Sequence, residues 1–122
     1  MESIKVLVVD DLEFMRQAIA DILRDSGIAV TGEAPNGAEG IEAYLKLQPD
    51  VVLMDITMPV MNGLQALHGI RRRDPNARVV MCSALGQQRY VIRAIQLGAR
   101  DFVVKPFRQE RIVSAVRKAA SG

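Results

Sequence analysis

Five side chains in this 122-residue chain stand at the polar end of a short apolar run, where chemistry is easily placed. Ile4-Lys5-Val6-Leu7-Val8-Val9 runs into Asp10-Asp11, and Val51-Val52-Leu53-Met54 into Asp55. Ala77 to Cys82 leads to Ser83, and Asp101-Phe102-Val103-Val104 leads to Lys105. Three carboxylates brought together repel and raise one another's pKa. A divalent cation removes that repulsion, and an all-oxygen donor set completed by water suits Mg²⁺. Lys105 adds a compact positive charge and Ser83 a hydroxyl donor. Cation, ammonium and hydroxyl around one carboxylate make a place to hold a phosphoryl group on that carboxylate, a nucleophile of known type. The transfer itself needs mainly positioning and charge neutralisation. Singly, each residue has a plainer role as a helix-capping acid, a turn hydroxyl or a solvated strand end. Jointly, suitable groups at four strand ends are hard to obtain by chance.

The elements that must position them follow from periodicity. Short apolar runs bounded by turn signals read as strands buried on both faces. The strands predicted are Ile4–Val9, Ile28–Gly32, the stretch opening at Val51 and closed by Pro59, Ala77–Cys82 and Asp101–Lys105. A helix is predicted over Leu12–Ser26, with Met15, Ala18, Ile19, Ile22 and Leu23 on one face and Gly27 as its stop. Asn36 caps a second helix with Glu39 as its capping-box partner; its apolar face is Ile41, Tyr44, Leu45 and Leu47, and Pro49 ends it. A third runs from Gly63 to Arg72 and stops at Asp74-Pro75. The fourth, Gln87–Leu97, sets Arg89 and Arg93 opposite Val91, Ile92 and Ile95. The fifth, Arg108–Ala120, buries Ile112, Val113 and Val116 and turns Arg111, Ser114 and Lys118 outward. Strand and helix alternate five times, which means an α/β fold: a doubly wound parallel sheet with helices on both faces. Such a sheet brings its strand ends, and so all five polar side chains, to one edge, outside which ligands gather in folds of this kind.

Composition agrees with one soluble domain over residues 1–122: 49% hydrophobic, 25% charged and no apolar run of membrane-spanning length. The N-terminus goes straight into a strand, leaving no room for a signal peptide. The single cysteine, Cys82, excludes an internal disulfide framework, fits a reducing cytoplasm and reads as a buried hydrophobe. The net charge of +2 conceals an asymmetry: residues 1–70 hold 4 Lys/Arg against 11 Asp/Glu, and residues 71–122 hold 12 against 3. That polarity suggests a directed partner surface. Arg71-Arg72-Arg73, the only basic run, falls at a helix C-terminus, where cations suit the dipole. His68, the only histidine, is placed in the third helix, away from the strand ends.

With these residues in view, the chain resembles the response-regulator receiver domains over its whole length. Asp10-Asp11 matches the family's acidic pair, Asp55 the phosphoacceptor, Ser83 the hydroxyl position and Lys105 the lysine. Met58-Pro59-x-Met61-x-Gly63 and Lys105-Pro106-Phe107 match the flanking signatures, and Phe14-Met15-Arg16 after the acidic pair is similar to the single-domain chemotaxis (CheY-like) type. The resemblance implies a five-stranded flavodoxin-like (βα)₅ fold of strand order 2-1-3-4-5. It implies phosphorylation of Asp55 by a CheA-like histidine kinase and output to a FliM-like flagellar switch protein. A phosphatase would be a further partner, and neither nucleic acid nor membrane is expected. Asp11, Asp55 and the Thr57 carbonyl would hold Mg²⁺, or Mn²⁺ as a substitute, with Asp10 helping mostly through water. Ser83 would be drawn in, Phe102 would turn inward as a steric switch, and Thr57 and Leu85 would tune attack by water. Arg89, Arg93, Arg100, Arg111 and Lys118 would form the output surface, and Lys105–Pro106 would be cis. The protein would signal rather than act as an enzyme, beyond catalysing its own phosphorylation and dephosphorylation.

Other readings differ on named residues. A receiver in another phosphorelay, or one cut from a DNA-binding regulator, would carry the same site. A haloacid-dehalogenase-type phosphatase needs a second Asp where Thr57 stands. A flavodoxin-like flavin binder needs a hydroxyl- and glycine-rich phosphate loop where Asp10-Asp11 would repel the phosphate.

Overall fold

The computed structural model describes residues 3–122. Its elements alternate as β1 (Lys5–Val9), α1 (Glu13–Asp25), β2 (Ala29–Ala34), α2 (Gly37–Leu47), β3 (Val51–Met54), α3 (Gly63–Arg73), β4 (Val79–Ser83), α4 (Gln88–Gln96), β5 (Asp101–Val104) and α5 (Gln109–Ser121). The sheet is parallel in the order β2-β1-β3-β4-β5, as the resemblance implied.

Strand side chains alternate between two apolar layers with the period of two that a pleated strand imposes. Leu7, Val9, Val52, Met54, Val79, Met81 and Phe102 face the layer containing Tyr44, Leu67, Ile70 and Ala94 from α2, α3 and α4. Val6, Val8, Val51, Leu53, Val80, Cys82 and Val103 face Ile19 and Leu23 of α1 and Ile112 and Val116 of α5. Burial of each large side chain in these layers contributes about 1.5–3 kcal/mol. The inner strands β1, β3 and β4 carry no polar alternation because both faces are covered, whereas edge strand β2 exposes Thr31 and Glu33.

Two capping asparagines start helices that flank the sheet edge. Asn36 Oδ1 accepts from Glu39 N–H (2.9 Å), but Glu39 answers the Asn36 side-chain amide (2.8 Å) rather than its backbone. The reciprocal capping box lies instead at α3, between Asn62 and Gln65. The arginines ending α3 turn back onto carbonyls: Arg73 onto Gly69 (3.0 Å) and Arg71 onto Pro75. This fits helix termination without a ligand.

Several predicted faces are corrected. In α1, Ala18 is exposed and Ala20 is buried instead. In α2, Leu45 and Leu47 are exposed, because Gly37 and Gly40 provide the close approach; a Cβ on Gly40 would press on Val9 at 3.2 Å. In α4, the inward residues are Tyr90, Val91, Ala94 and Leu97, while Ile92 and Ile95 are 47% and 52% exposed. β2 begins one residue later than predicted and runs on to Ala34, held as an edge strand by β1 alone. β4 begins at Val79 rather than Ala77. Lys105–Pro106 is cis, as expected. His68 is exposed on α3. No helix among the described residues is long and apolar enough to cross a membrane.

Candidate functional site

The carboxyl ends of β1, β3, β4 and β5 converge as the parallel sheet requires. One oxygen each from Asp10, Asp11 and Asp55 lie within 4.8 Å of one another. Asp10 is 1% exposed, whereas Asp11 lies open at the start of the β1–α1 turn. Backbone pairing fixes β1 and β3 beside each other here, since Asp55 N–H donates to Val9 O at 2.9 Å. Lys105, just past β5, reaches across to Asp10 Oδ2 at 2.6 Å and lies 3.5 Å from Asp55 Oδ2. The Asp55 Oδ1 atom accepts from Ile56 N–H at 2.7 Å.

Burial raises the Asp55 pKa, and the nearby Asp10 charge raises it further; Lys105, the Ile56 N–H and the Ser83 hydroxyl oppose this but do not reverse it. Burial also works against the Lys105 ammonium, yet its bond to Asp10 and the charges of Asp55 and Asp10 carry its pKa above the ordinary lysine value. The site is therefore short of positive charge: three carboxylates share one ammonium. Its oxygen-only donors, split between a buried and an exposed edge, fit a hard divalent cation such as Mg²⁺ that keeps part of its water.

Ser83 is buried and its Oγ accepts from Leu85 N–H at 3.1 Å. Thr57 is exposed in the β3–α3 loop, and Leu85 packs partly against the α2–α3–α4 layer. Phe102 is buried, at 9% exposure, in the layer that faces α2, α3 and α4. Cys82 lies beneath the site, where burial pushes its thiol pKa up to about 12, as suits an inert apolar side chain.

The basic residues do not form one free set. Arg93, Arg100 and Lys118 are exposed. Arg89 lies over the Tyr90 ring, 4.9 Å from its centroid, and donates to the Tyr90 hydroxyl at 3.2 Å. Arg111, predicted to face outward, is exposed and is tied to Asp101 by two bonds of 2.9 and 3.0 Å and also donates to Phe102 O at 3.2 Å. The same side of the molecule exposes Ile92, Ile95 and Val104.

Sequence reasoning missed the structural reason for Gly63 and the roles of Arg16 and Glu33. Gly63 lets α3 start against the Asp55 carbonyl, where a Cβ would overlap the oxygen; the glycine was visible as part of a signature, but not its reason. Arg16 donates to the Asp10 carbonyl at 2.7 Å and to Glu33 Oε1 at 3.1 Å. That contact spans 17 residues and depends on the β1–β2 register, so no local signal announces it.

A doubly wound parallel sheet presenting carboxylates, a hydroxyl and a lysine along one edge is a signalling receiver architecture. The chain belongs to the response-regulator receiver family, whose model, "Response regulator receiver domain", matches residues 6–117. Within it, the chain is 53% identical over 116 residues to the chemotaxis protein CheY of Thermotoga maritima, covering 95% of this chain and 97% of that protein. Its structure is similar to the receiver domain of a NarL response regulator from Mycobacterium tuberculosis (TM-score 0.95, 34% identity, 100% and 99% of the two chains). It is also similar to a chain of the CheX–CheY–BeF3–Mg²⁺ complex from Borrelia burgdorferi (TM-score 0.91, 35% identity, 94% and 87%).

Proposed function

We propose that this protein is a cytoplasmic, phosphorylation-activated chemotaxis response regulator of the CheY type. Asp55 accepts a phosphoryl group from a CheA-like histidine kinase, and the modified protein signals to a FliM-like flagellar switch, with a phosphatase as a further partner. The observation that carries this reading is the position of Asp55 between a carboxylate cluster and the Lys105 ammonium, 3.5 Å away.

Asp11, Asp55 and the Thr57 carbonyl would hold Mg²⁺, or Mn²⁺ as a substitute, with Asp10 helping mostly through water. When bound, the cation neutralises charge on the phosphoryl oxygens. An Asp55 carboxylate oxygen attacks phosphorus. The bond from phosphorus to the donor imidazole nitrogen breaks, and that nitrogen keeps the electron pair and takes a proton. Lys105 pairs with a phosphoryl oxygen, and the Ser83 hydroxyl donates to another. Because Ser83 Oγ also accepts from Leu85 N–H, its shift carries the β4–α4 loop with it. The packing of α4 around Phe102 then exchanges between two arrangements, a population shift driven by the added charge. Ile92, Ile95 and Val104, rimmed by Arg89, Arg93, Arg100 and Lys118, form the output surface for an acidic amphipathic segment.

The test is labelling by a small acyl phosphate with and without a chelator. Phosphate should appear on the wild type only with a divalent cation, and not at all on Asp55→Asn, whose amide lacks charge and nucleophilicity. Labelling that survives either change would defeat the site assignment.

A further inference from the structure

Every polar group of Asp10 has a partner, and each carboxylate oxygen keeps a further acceptor site. Its N–H donates to Ala34 O at 3.1 Å, its Oδ1 accepts from Leu12 N–H at 3.0 Å, and its Oδ2 accepts from Lys105 at 2.6 Å. Its carbonyl accepts from Arg16 Nη1 at 2.7 Å. The last bond differs in kind from the others. Arg16 stands in the first turn and a half of α1, so it reaches back over the Asp11-Leu12 turn to the end of β1. That turn carries Asp11, and the carbonyl reached belongs to Asp10, so the bond ties together two of the three clustered acidic residues. The guanidinium is itself held by Glu33 of β2 through Nε at 3.1 Å, with the two side chains only 15% and 28% exposed. Glu33 lies in register with Val8, so the sheet fixes the anchor. A guanidinium forks rigidly and can span two acceptors at once, which a lysine ammonium on a flexible stem does less well.

The charges add a second consequence. A lone guanidinium beside an acidic cluster would weaken the cluster's attraction for a cation. Pairing with Glu33 cancels that charge while leaving the strap in place. We infer that Arg16 is a positioning residue for the divalent-cation site, locking the Asp10–Asp11 turn, and that Glu33 holds and neutralises it. This inference rests on the reading that the carboxylate cluster takes a divalent cation.

Two effects of opposite sign make it testable. If Arg16 acted only through its charge, its removal would tighten cation binding. If it positions the turn, removal weakens binding, since outer partners of metal ligands are typically worth about 10–100-fold in affinity. The experiment is direct titration of the full chain with Mn²⁺, followed by calorimetry, at fixed ionic strength. Arg16→Ala should bind at least about 10-fold more weakly than wild type. Arg16→Lys keeps the charge and the helix but loses the fork, so it too should bind more weakly, and it carries the test should the alanine variant not fold. Glu33→Gln should weaken binding in the wild type, and by a smaller factor once Arg16 is already alanine, because coupled residues are not additive. Unchanged or tighter binding in Arg16→Ala and wild-type binding in Arg16→Lys would each overturn the strap. Equal effects of Glu33→Gln in both backgrounds would overturn the pairing. A wild type that binds no Mn²⁺ would overturn the cation site itself, a different failure from any of these.

Discussion

Gly63 lies directly against the backbone carbonyl of Asp55, so closely that a Cβ would overlap the oxygen and stand 3.0 Å from Ile56 Cα. Its N–H donates to Ile56 O at 2.8 Å, closing the turn that carries the chain from β3 into α3. Any side chain here must displace either the helix or the end of the strand that presents Asp55. Gly63→Ala is therefore expected to destabilise the fold by about 1–3 kcal/mol, the usual range for forced overpacking, and to slow labelling of Asp55. Urea unfolding measures the first and acyl-phosphate labelling the second; a midpoint equal to wild type would contradict the account.

The Asp101–Arg111 pair links stability to pH. Its two hydrogen bonds hold the Asp101 carboxyl below the usual carboxylate range, with burial opposing and the Phe102 N–H assisting. A carboxyl with a lowered folded pKa stabilises the fold above its unfolded pKa of about 3.9 and stops doing so as pH falls through the folded value. The pair is part-exposed, so it contributes no more than about 1 kcal/mol. Asp101→Asn should thus be slightly less stable than wild type at pH 7, and the difference should shrink as the pH falls below about 4 and vanish below the lowered folded value. Unfolding curves at the two pH values measure this, and a gap that stayed constant would remove Asp101 as its source.

The face proposed for output is apolar at its centre. Ile95, 52% exposed on α4, should be an anchor, and Ile95→Asp should weaken binding of the phosphorylated form to an acidic FliM-like segment by at least about 1 kcal/mol, the scale of an interface anchor. Arg93→Glu with Lys118→Glu should instead reduce the association rate, most at low salt, because rim charges act through long-range attraction. Asp55 labelling should be untouched in all three. Stopped-flow binding at two ionic strengths separates the roles, and equal salt dependence in wild type and double mutant would move the surface elsewhere.

Phosphate lifetime should be long. Thr57 is short and exposed, and Leu85 has no side-chain group to orient a water molecule. Relatives with an amide and a carboxylate at these positions should lose phosphate faster. Thr57→Asn with Leu85→Glu should accelerate decay of the labelled protein, as followed by loss of label with time; an unchanged half-life would show that neither position directs the water.

The strand-end constellation was legible because it depends on local signals: each apolar run is short, and each ends in a polar residue or, for β1, an acidic pair. Where a helix face was misread, the helix had more apolar residues than the core could accept. In α4, Ile92 and Ile95 are as apolar as Val91, and only the position of Ala94 against the sheet decides between two stripes. In α2 the contact is made by Gly37 and Gly40, which hydropathy does not rank as core. Arg16 with Glu33, and Arg111 with Asp101, were hidden for another reason: each pair joins different elements, and its geometry exists only once the register is set.

The strand order has a last consequence. Residues 1–50, rich in acid, build β1, β2 and their helices, while β4, β5 and the helices after them belong to the basic part of the chain. The order β2-β1-β3-β4-β5 therefore turns an imbalance along the sequence into one across space, over four strand spacings or roughly 19 Å. Near a negatively charged target such a molecule experiences a torque as well as a pull. It rotates so that the β5 edge leads, presenting the face proposed for output.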